Sequence, residues 1–424
     1  MSFGGLYTSI SGIYANKKAL DTVSHNISNA NNSAYVRQSA IHASNRYSNT
    51  QVGDLQIGTG VHVQEIRQIR DEFIDLRIRK ELEQYGYWSS TSDILGEVEA
   101  IYNEITGSGL KEVMNNFWDS WSELYQEPDS LAKRGVLHES AVAFTETVNH
   151  MDTQLDNLQL NLNVEILSEV DDVNNMLTHI SQLNEKIKLT EAQGANVAAN
   201  DFKDSRNEIL DKLSVILPIT YYEKYTGEVV VSLQGRDLVN GDYLNLLDIE
   251  KDSRGYGYIH WSDTKERIDL QGKGRLGGYI DARDVVVEKY RSSLDTLVSN
   301  MADAINAVHK TGKSLDWDPT LPAPEIPFFV GIDGEINAAS IKVNPGLSNF
   351  NKIAISKSGN LGDGEIAKEI IGLREEIYVS LGNMTFDDYY RDIISSIGVE
   401  RSKARNMTLN QGTLLKQLED RKDS

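Results

Sequence analysis

Six residues near the middle of the chain have the spacing of a site that binds a dinucleotide. Gly272-Lys-Gly-Arg-Leu-Gly277 matches the G-x-G-x-x-G pattern and follows a predicted strand at Ile268–Gln271. In dinucleotide-binding proteins this turn lies inside a parallel βαβ unit, where the pyrophosphate meets a helix N-terminus. The segments before it here have the pattern of antiparallel hairpins instead. We therefore interpret these glycines as a flexible connection between a β module and a helix.

Other residues could in principle ligate metals. His138-Glu139 resembles the start of a zinc-protease motif, but position 142 is Val, so the second His is missing. The pairs Asp316/Asp318 and Asp333/Glu335 lack the spacing of an EF-hand loop and are typical of turns. The chain has no Cys, which excludes thiolate metal sites, thiol catalysis and disulfides. We predict no catalytic residue, no cofactor and no metal site, and therefore no enzyme activity.

The charge of the chain limits its partners. It has 42 Lys and Arg against 63 Asp and Glu, which gives a net charge of −21 over 424 residues. Binding to phosphate groups depends on Lys and Arg, so this balance argues against nucleic acid and anionic membranes. No stretch approaches the roughly 18 apolar residues of a membrane helix, and the N-terminus has no secretory signal. The residues alone thus indicate a cytosolic protein.

The elements that must position any functional residue begin with an N-terminal amphipathic helix. Its apolar residues recur at spacings of three and four, the pattern of a coiled-coil seam. They are Phe3, Leu6, Ile10, Ile13, Leu20 and Ile27. The helix runs into a stretch rich in Asn and Ser, residue types that favour turns. A helix of this length needs a partner to cover its apolar face.

Helical patterns dominate the rest of the chain. We predict helices over about 69–105, 129–191, 201–217, from about 276, and over 363–380 and 386–420. The long one contains a seam with a single polar member, namely Ile166, Val170, Val173, Leu177, Ile180, Asn184 and Ile187. The aromatic residues Trp88, Phe117, Trp118 and Trp121 have the spacing of helix core residues.

Patterns of period two mark the β insertions. Strands are predicted at Gly60–Arg67, Ile219–Tyr225, Glu228–Leu233, Tyr243–Ile249 and Tyr256–Trp261, with short ones at Phe328–Val330, Ile341–Val343 and Ile353–Ser356. The predicted fold class is mainly α with β insertions (α+β). We expect an elongated multidomain rod in which a long-helix bundle carries a small antiparallel β module.

Residues 15–38, ANKKALDTVSHNISNANNSAYVRQ, are similar to the N-terminal signature of flagellar axial proteins. The ending Tyr35-x-Arg37-Gln38 resembles the FlgK family of hook-associated proteins, although Ala34 stands where that family usually has Gly. Later stretches also resemble this family, in the same order. They include DFKDSRNEILDKL from Asp201, GRDLVNG from Gly235, GRLGGY from Gly274 and the final helix from Asp388 to Arg421.

The resemblance implies a structural protein of the bacterial flagellum that joins hook to filament by helical self-assembly. Implied partners are the hook protein, the next hook-associated protein, further copies in the junction ring, and an export chaperone that binds the C-terminal end. It also implies an extracellular location reached through flagellar type III export without a cleaved signal, which overrides the cytosolic interpretation. We expect an assembly interface formed by Leu6, Ile10, Ile13, Leu20, Val23, Ile27, Asn29, Tyr35, Arg37 and Gln38.

Four domains are expected on this basis. Residues 1–50 would hold the axial helix and its Asn/Ser loop, as half of a terminal coiled-coil domain. Residues 51–215, 275–312 and 363–424 would form the helix bundle, residues 216–274 the β domain, and residues 313–362 a β/loop insert. The family's last apolar helix is missing after Ser424. We therefore expect a shortened chain whose first 30 residues are disordered, or packed against another copy, rather than folded onto the body.

Two alternatives remain open at this stage. The chain could be another flagellar axial protein, such as hook protein or flagellin, although those lack the later FlgK-like stretches. It could also be an enzyme with a nucleotide or metal site in a helical protein. A binding role of the β module at the cell surface remains open as a secondary function.

Overall fold

The computed structural model describes the chain except for residues 1–3, 33–34, 50–55, 103–108, 193–198, 321, 323–324, 333 and 424. Phe3, Ala34 and Asp333, which were named from the sequence, lie outside the described residues. The fold is mainly α with β insertions, which confirms the predicted class. The α-helices are α1 (Gly4–Ser28), α2 (Glu72–Tyr102), α3 (Leu110–Gln126), α4 (Leu131–Glu191), α5 (Asn200–Ile216), α6 (Gly274–Asp281), α7 (Glu288–His309), α8 (Glu365–Leu373) and α9 (Phe386–Asp423).

Short antiparallel sheets interrupt the helices. The strands are β1 (Gln38–Ser44), β2 (Ser48–Asn49), β3 (Gln56–Ile57), β4 (Val61–Gln68), β5 (Ile219–Glu223), β6 (Val229–Leu233), β7 (Arg236–Asn240), β8 (Tyr243–Leu244), β9 (Leu247–Lys251), β10 (Gly257–Trp261), β11 (Phe329–Val330) and β12 (Lys342–Val343). Strands β5 to β8 form one four-stranded sheet in sequence order. The other described pairs are β1 with β4, β2 with β3, β9 with β10, and β11 with β12.

Several predicted strands need correction. Strand β7 was missed because its Gly235-Arg-Asp start has the composition of a turn. The predicted strand Tyr243–Ile249 is two strands, β8 and β9. Ile353–Ser356 is not a strand and makes a single bridge, between Ser356 and Lys313. The helix predicted over 363–380 ends at Leu373.

The chain divides into two compact units. The first unit comprises Met1–Trp88, Glu165–Gly278 and Met407–Ser424, and the second comprises Ser89–Val164 and Tyr279–Asn406. Helices α2, α4 and α9 each contribute residues to both units. The β sheet of β5 to β8 lies in the first unit, and the pair β11–β12 lies in the second.

The seam of α4 supplies the core of the first unit. All seven seam residues from Ile166 to Ile187 are buried, as the heptad spacing predicts. A second apolar cluster joins the start of α2 to the end of α9, where Ile74 and Ile78 pack with Leu415 and Leu418. The last helix thereby buries Leu415, whereas the neighbouring Leu414 is exposed.

The polar seam residue Asn184 connects α4 to the sheet. Its amide nitrogen donates to the carbonyl of Val229 at 2.8 Å, and its amide oxygen accepts from the Val229 N–H at 3.0 Å. The same oxygen accepts from the guanidinium of Arg206, which is completely buried. Ten residues earlier, Asn174 makes the same pair of bonds with Leu247, at 2.9 Å each. Two asparagines thus attach β6 and β9 to one helix.

The G-x-G-x-x-G glycines permit close packing at the start of α6. Gly274 has φ of +66°, and a Cβ there would lie 2.3 Å from the carbonyl oxygen of Ile216, the last residue of α5. A Cβ on Gly277 would lie 2.2 Å from the carbonyl oxygen of Leu270. Residues Ile268–Gln271 are not a strand, so that prediction is wrong, and β9 and β10 before them are antiparallel. The βαβ unit of a dinucleotide site is not formed at these described residues.

The second unit has an aromatic core. Phe117, Trp118 and Trp121 are buried as predicted. The Phe117 ring lies 5.9 Å from that of Phe144, and Trp118 stacks on Phe386 at 6.3 Å. The fourth predicted member, Trp88, is only half-buried and belongs to the first unit.

The neutral ring of His309 connects α7 to the insert of residues 313–362 in the second unit. Its Nδ1 donates to the Ile326 carbonyl at 2.7 Å, and its Nε2 accepts from the Ala354 N–H at 3.0 Å. Complete burial lowers the pKa of His309 to about 4, so the ring stays uncharged at neutral pH.

Replacing Asn184 with Leu should destabilise the first unit by about 2–4 kcal/mol, because both backbone groups of Val229 and one Arg206 nitrogen lose a buried partner. Urea denaturation followed by circular dichroism measures this loss. The control is Asn175→Leu, an exposed Asn on the same helix, which should stay within about 0.5 kcal/mol of the unchanged protein. Equal stability of the two variants would contradict the assigned role of Asn184.

Candidate functional site

Helix α1 presents an uncovered apolar face. Six of the predicted interface residues lie on it, and their side chains are 37–71% exposed. They are Leu6, Ile10, Ile13, Leu20, Val23 and Ile27. Large apolar side chains exposed together on one helix face are typical of a surface that binds another molecule. Tyr7 and Tyr14, which are also exposed, flank this face.

The opposite face of α1 is made of small and polar residues and packs on the β1–β4 hairpin. Ala15 and Thr22 are buried there, and Ser11 and Ala19 are half-buried. The Ser11 hydroxyl accepts a hydrogen bond from the Val61 N–H at 3.1 Å. The expectation of a disordered N-terminal segment is therefore wrong for residues 4–28, which form a helix docked on this hairpin.

A polar node fixes the end of α1. Asn26 donates to the Gln38 carbonyl and accepts from the Gln38 N–H, both at 2.9 Å. The Tyr35 hydroxyl donates to the same Asn26 oxygen at 2.7 Å, and the Tyr35 ring packs edge-on against His25 at 5.3 Å. Sequence reasoning missed Asn26. The available signal was its position opposite the apolar seam, within the Asn-rich end of the helix.

The remaining predicted interface residues divide between internal and exposed positions. Tyr35 is half-buried and Gln38 is buried, so the structure gives both of them intrachain contacts at the node. Asn29 is half-buried and donates to the His25 carbonyl at 3.0 Å. Arg37 has an exposed side chain, while its carbonyl accepts from the Ile69 N–H at 2.8 Å. The structure thus brings Tyr35 and Gln38 together and leaves Arg37 on the surface.

A polar clasp connects the hairpin to α5. The Gln68 amide donates to an Asp204 carboxylate oxygen at 2.6 Å and to the Asn200 carbonyl at 3.1 Å. The Asn200 amide donates to the Ile66 carbonyl at 3.0 Å, and the Val36 N–H donates to Asp204 at 3.4 Å. Neither Asn200 nor Asp204 was selected from the sequence, because only the tertiary fold places α5 beside the hairpin.

The carboxyl group of Asp204 is buried in this clasp. Its pKa is raised to about 6, chiefly by burial, and the neighbouring carboxylate of Asp201 contributes to the increase. The hydrogen bonds from Val36 and Gln68, together with the charge of Arg70, oppose this shift without cancelling it. Asp204 therefore carries a negative charge at neutral pH in a site that favours the protonated form.

The candidate metal motifs have local structural explanations. His138 lies on α4, where its Nδ1 is 3.1 Å from Glu139 and its ring is 5.4 Å from that of Phe350. Asp316 accepts from the Ser314 hydroxyl at 2.7 Å, and Asp318 accepts from the Thr320 N–H at 2.9 Å, as turn residues do. No group of three or more His, Asp or Glu side chains suited to a metal occurs in the part of the chain that the structure describes.

The titration of Asp204 generates a testable expectation. Its folded-state pKa lies above that of an unfolded Asp, so protonation favours the folded state, and this contribution is lost as the pH rises through about 6. Lowering the pH from 7 to 5 should therefore stabilise the unchanged protein by about 1 kcal/mol relative to an Asp204→Asn variant. Urea denaturation at both pH values measures the difference.

The matched control is Glu208→Gln, which removes one carboxylate from an exposed position on the same helix. It should leave the pH dependence of stability close to that of the unchanged protein. If Asp204→Asn and the unchanged protein respond identically to pH, the buried carboxylate has been assigned wrongly.

Comparisons with known proteins place this geometry in a family context. The model of the flagellar hook-associated protein FlgK helical domain matches residues 95–322, more than half of the chain. Flagellar hook-associated protein 1 of Bacillus subtilis is 27% identical over 454 residues, which cover 98% of this chain and 89% of that protein.

Two further comparisons agree. Flagellar hook-associated protein 1 of Escherichia coli is 25% identical over 73% of this chain, which spans 57% of that protein. The solved structure of the flagellar hook junction protein FlgK from Burkholderia pseudomallei is similar, with a TM-score of 0.68 and 12% identity. That similarity covers 82% of this chain and 99% of the solved chain, and it establishes the shared fold.

Proposed function

The chain belongs to the FlgK family of flagellar hook-associated proteins, and on this premise we propose that it assembles into the hook–filament junction through helix α1. Its role is structural. Subunits pack against one another and against neighbouring flagellar proteins. Of the ten residues predicted from the sequence, the proposed interface comprises the six apolar residues of α1 and Arg37, while Asn29, Tyr35 and Gln38 fix the end of α1 from within the chain. Catalysis has no part in this proposal.

The apolar face of α1 is the observation that carries the proposal. The helix meets its own hairpin through Ala15, Thr22 and Asn26, which leaves Leu20 and the other large apolar side chains uncovered. Full burial of a side chain such as Leu or Ile contributes about 1.5–3 kcal/mol. Covering six of them in an assembled junction would therefore supply a large part of the free energy of association.

The family indicates the neighbours on either side. In the junction the chain would contact the hook protein on one side and the next hook-associated protein on the other, with further copies of itself beside it. We propose that it reaches this extracellular position by flagellar export, with an export chaperone as a transient partner. No helix among the described residues combines the length and hydropathy needed to cross a bilayer.

Asp substitutions on the apolar face of α1 test the proposal. Leu20→Asp, or Ile10→Asp, should abolish filament attachment and swimming, because burying an unpaired carboxylate at the packed seam has a large desolvation free energy. Swimming in soft agar and electron microscopy of attached filaments in a strain that lacks the native protein provide the measurements.

The matched control is Asn175→Asp, which adds the same charge at an exposed position on α4 instead of α1. It should leave swimming nearly unchanged. The circular dichroism spectra of all three variants should equal that of the unchanged protein. Normal filament attachment by the folded Leu20→Asp variant would overturn the proposed role of α1.

A further inference from the structure

The start of α2 and the segment just before it expose a second apolar surface, which we call the α2 stripe and define as Ile69, Phe73 and Leu76. Their side chains are 51%, 67% and 48% exposed, respectively. The residues that α2 buries here are Ile74 and Ile78, which pack on α9. The stripe therefore points away from the cluster that holds this helix in place.

Exposed charges of both signs border the α2 stripe, with acidic Glu72 in the first turn of the helix and basic Arg77 and Lys80 in the turn that follows. The Arg77 guanidinium lies 6.0 Å from the centre of the Phe73 ring, and exposed Lys80 follows one turn later. Among the residues that the structure describes, neither side chain belongs to an ion pair. Asp71 caps the start of the helix by accepting from the Phe73 and Ile74 N–H groups, so its charge is engaged by the helix N-terminus.

The charge of the chain is distributed unevenly about this surface. Residues 1–80 contain nine Lys and Arg and six Asp and Glu, a net charge of +3. Because the whole chain has a net charge of −21, residues 81–424 have a net charge of −24. The remainder of a second copy is therefore acidic overall, opposite in sign to the N-terminal segment of its neighbour.

We propose that the α2 stripe binds an acidic surface of a second copy of this chain, outside residues 1–80 of that copy. Two different surfaces then meet, so the contact is heterologous and propagates from subunit to subunit, as a ring or a helical array requires. Phe73 is the apolar anchor of the contact, and Arg77 and Lys80 supply complementary charge at its rim. This inference rests on the proposed function, because it specifies how neighbouring subunits meet in the junction.

The absence of cysteine makes the test direct, because one introduced thiol reports a single position. Phe73→Cys is labelled with a maleimide that carries a photoreactive benzophenone, and flagella assembled with the labelled protein are irradiated. We expect a cross-linked product of two copies of this 47.4-kDa chain, joined from Cys at position 73 to a peptide beyond residue 80. Mass spectrometry of the digested product identifies the partner peptide.

Leu76→Cys provides a second probe for the case in which removal of the Phe73 ring weakens assembly. A product containing only another flagellar protein, or no product from either position, would overturn the inference. Reversal of the rim charges by Arg77→Glu with Lys80→Glu should reduce the cross-linking yield from position 76 several-fold. An unchanged yield would overturn the acidic character assigned to the partner surface.

Two further single-cysteine variants separate this inference from the proposed function. Tyr225→Cys, at a fully exposed position in the turn after β5, controls for labelling. Ile13→Cys probes the apolar face of α1. Cross-links from position 13 without any from positions 73 or 76 would reject the α2 stripe and leave the proposed function standing. The absence of cross-links from position 13 would count against the proposed function itself.

Discussion

Helix-borne asparagines attach the β segments of this protein to its helices. In four places within the described residues, an Asn side chain bonds to both backbone groups of one β residue. It donates to the carbonyl and accepts from the N–H, as a neighbouring strand would. The pairs are Asn26 with Gln38, Asn174 with Leu247, Asn184 with Val229 and Asn306 with Phe329. Buried backbone groups require such partners. Each bond pair therefore gives a short strand a defined position on a long helix.

This attachment explains how small β insertions coexist with a helical core. Strands of two to five residues hold little apolar surface of their own, and isolated hairpins are marginal in water. The apolar seam of α4 already provides the buried apolar area. Asn184 and Asn174 contribute no further apolar area, but their hydrogen bonds fix the position of each strand on the helix. At the N-terminus Asn26 has the same role with a different result. By holding α1 to β1 through its small-residue face, it directs the apolar face outward.

The sequence predicts the helices and the fold class well, because a period of three to four apolar residues depends only on local spacing. It does not predict which molecule covers an apolar face. Ile166 and Phe73 both fit a helical seam, yet Ile166 is buried in the chain and Phe73 is exposed. Six of the ten predicted interface residues form the exposed face of α1. Asn26 and Asp204 escaped prediction, because their importance arises from the hairpin and α5 that the fold places beside them.

The distribution of charge bears on how such a chain associates. At a net charge of −21, two copies repel each other at long range unless salt screens them, so association requires a local surface of opposite sign. The first 80 residues provide both that sign and the uncovered apolar side chains of α1 and the α2 stripe. The remainder of the chain is acidic overall, and the apolar seam of α4 is buried within it. Concentrating attraction in one segment therefore gives the subunit a polarity, which assembly into an ordered array requires and which a uniformly adhesive surface would lack.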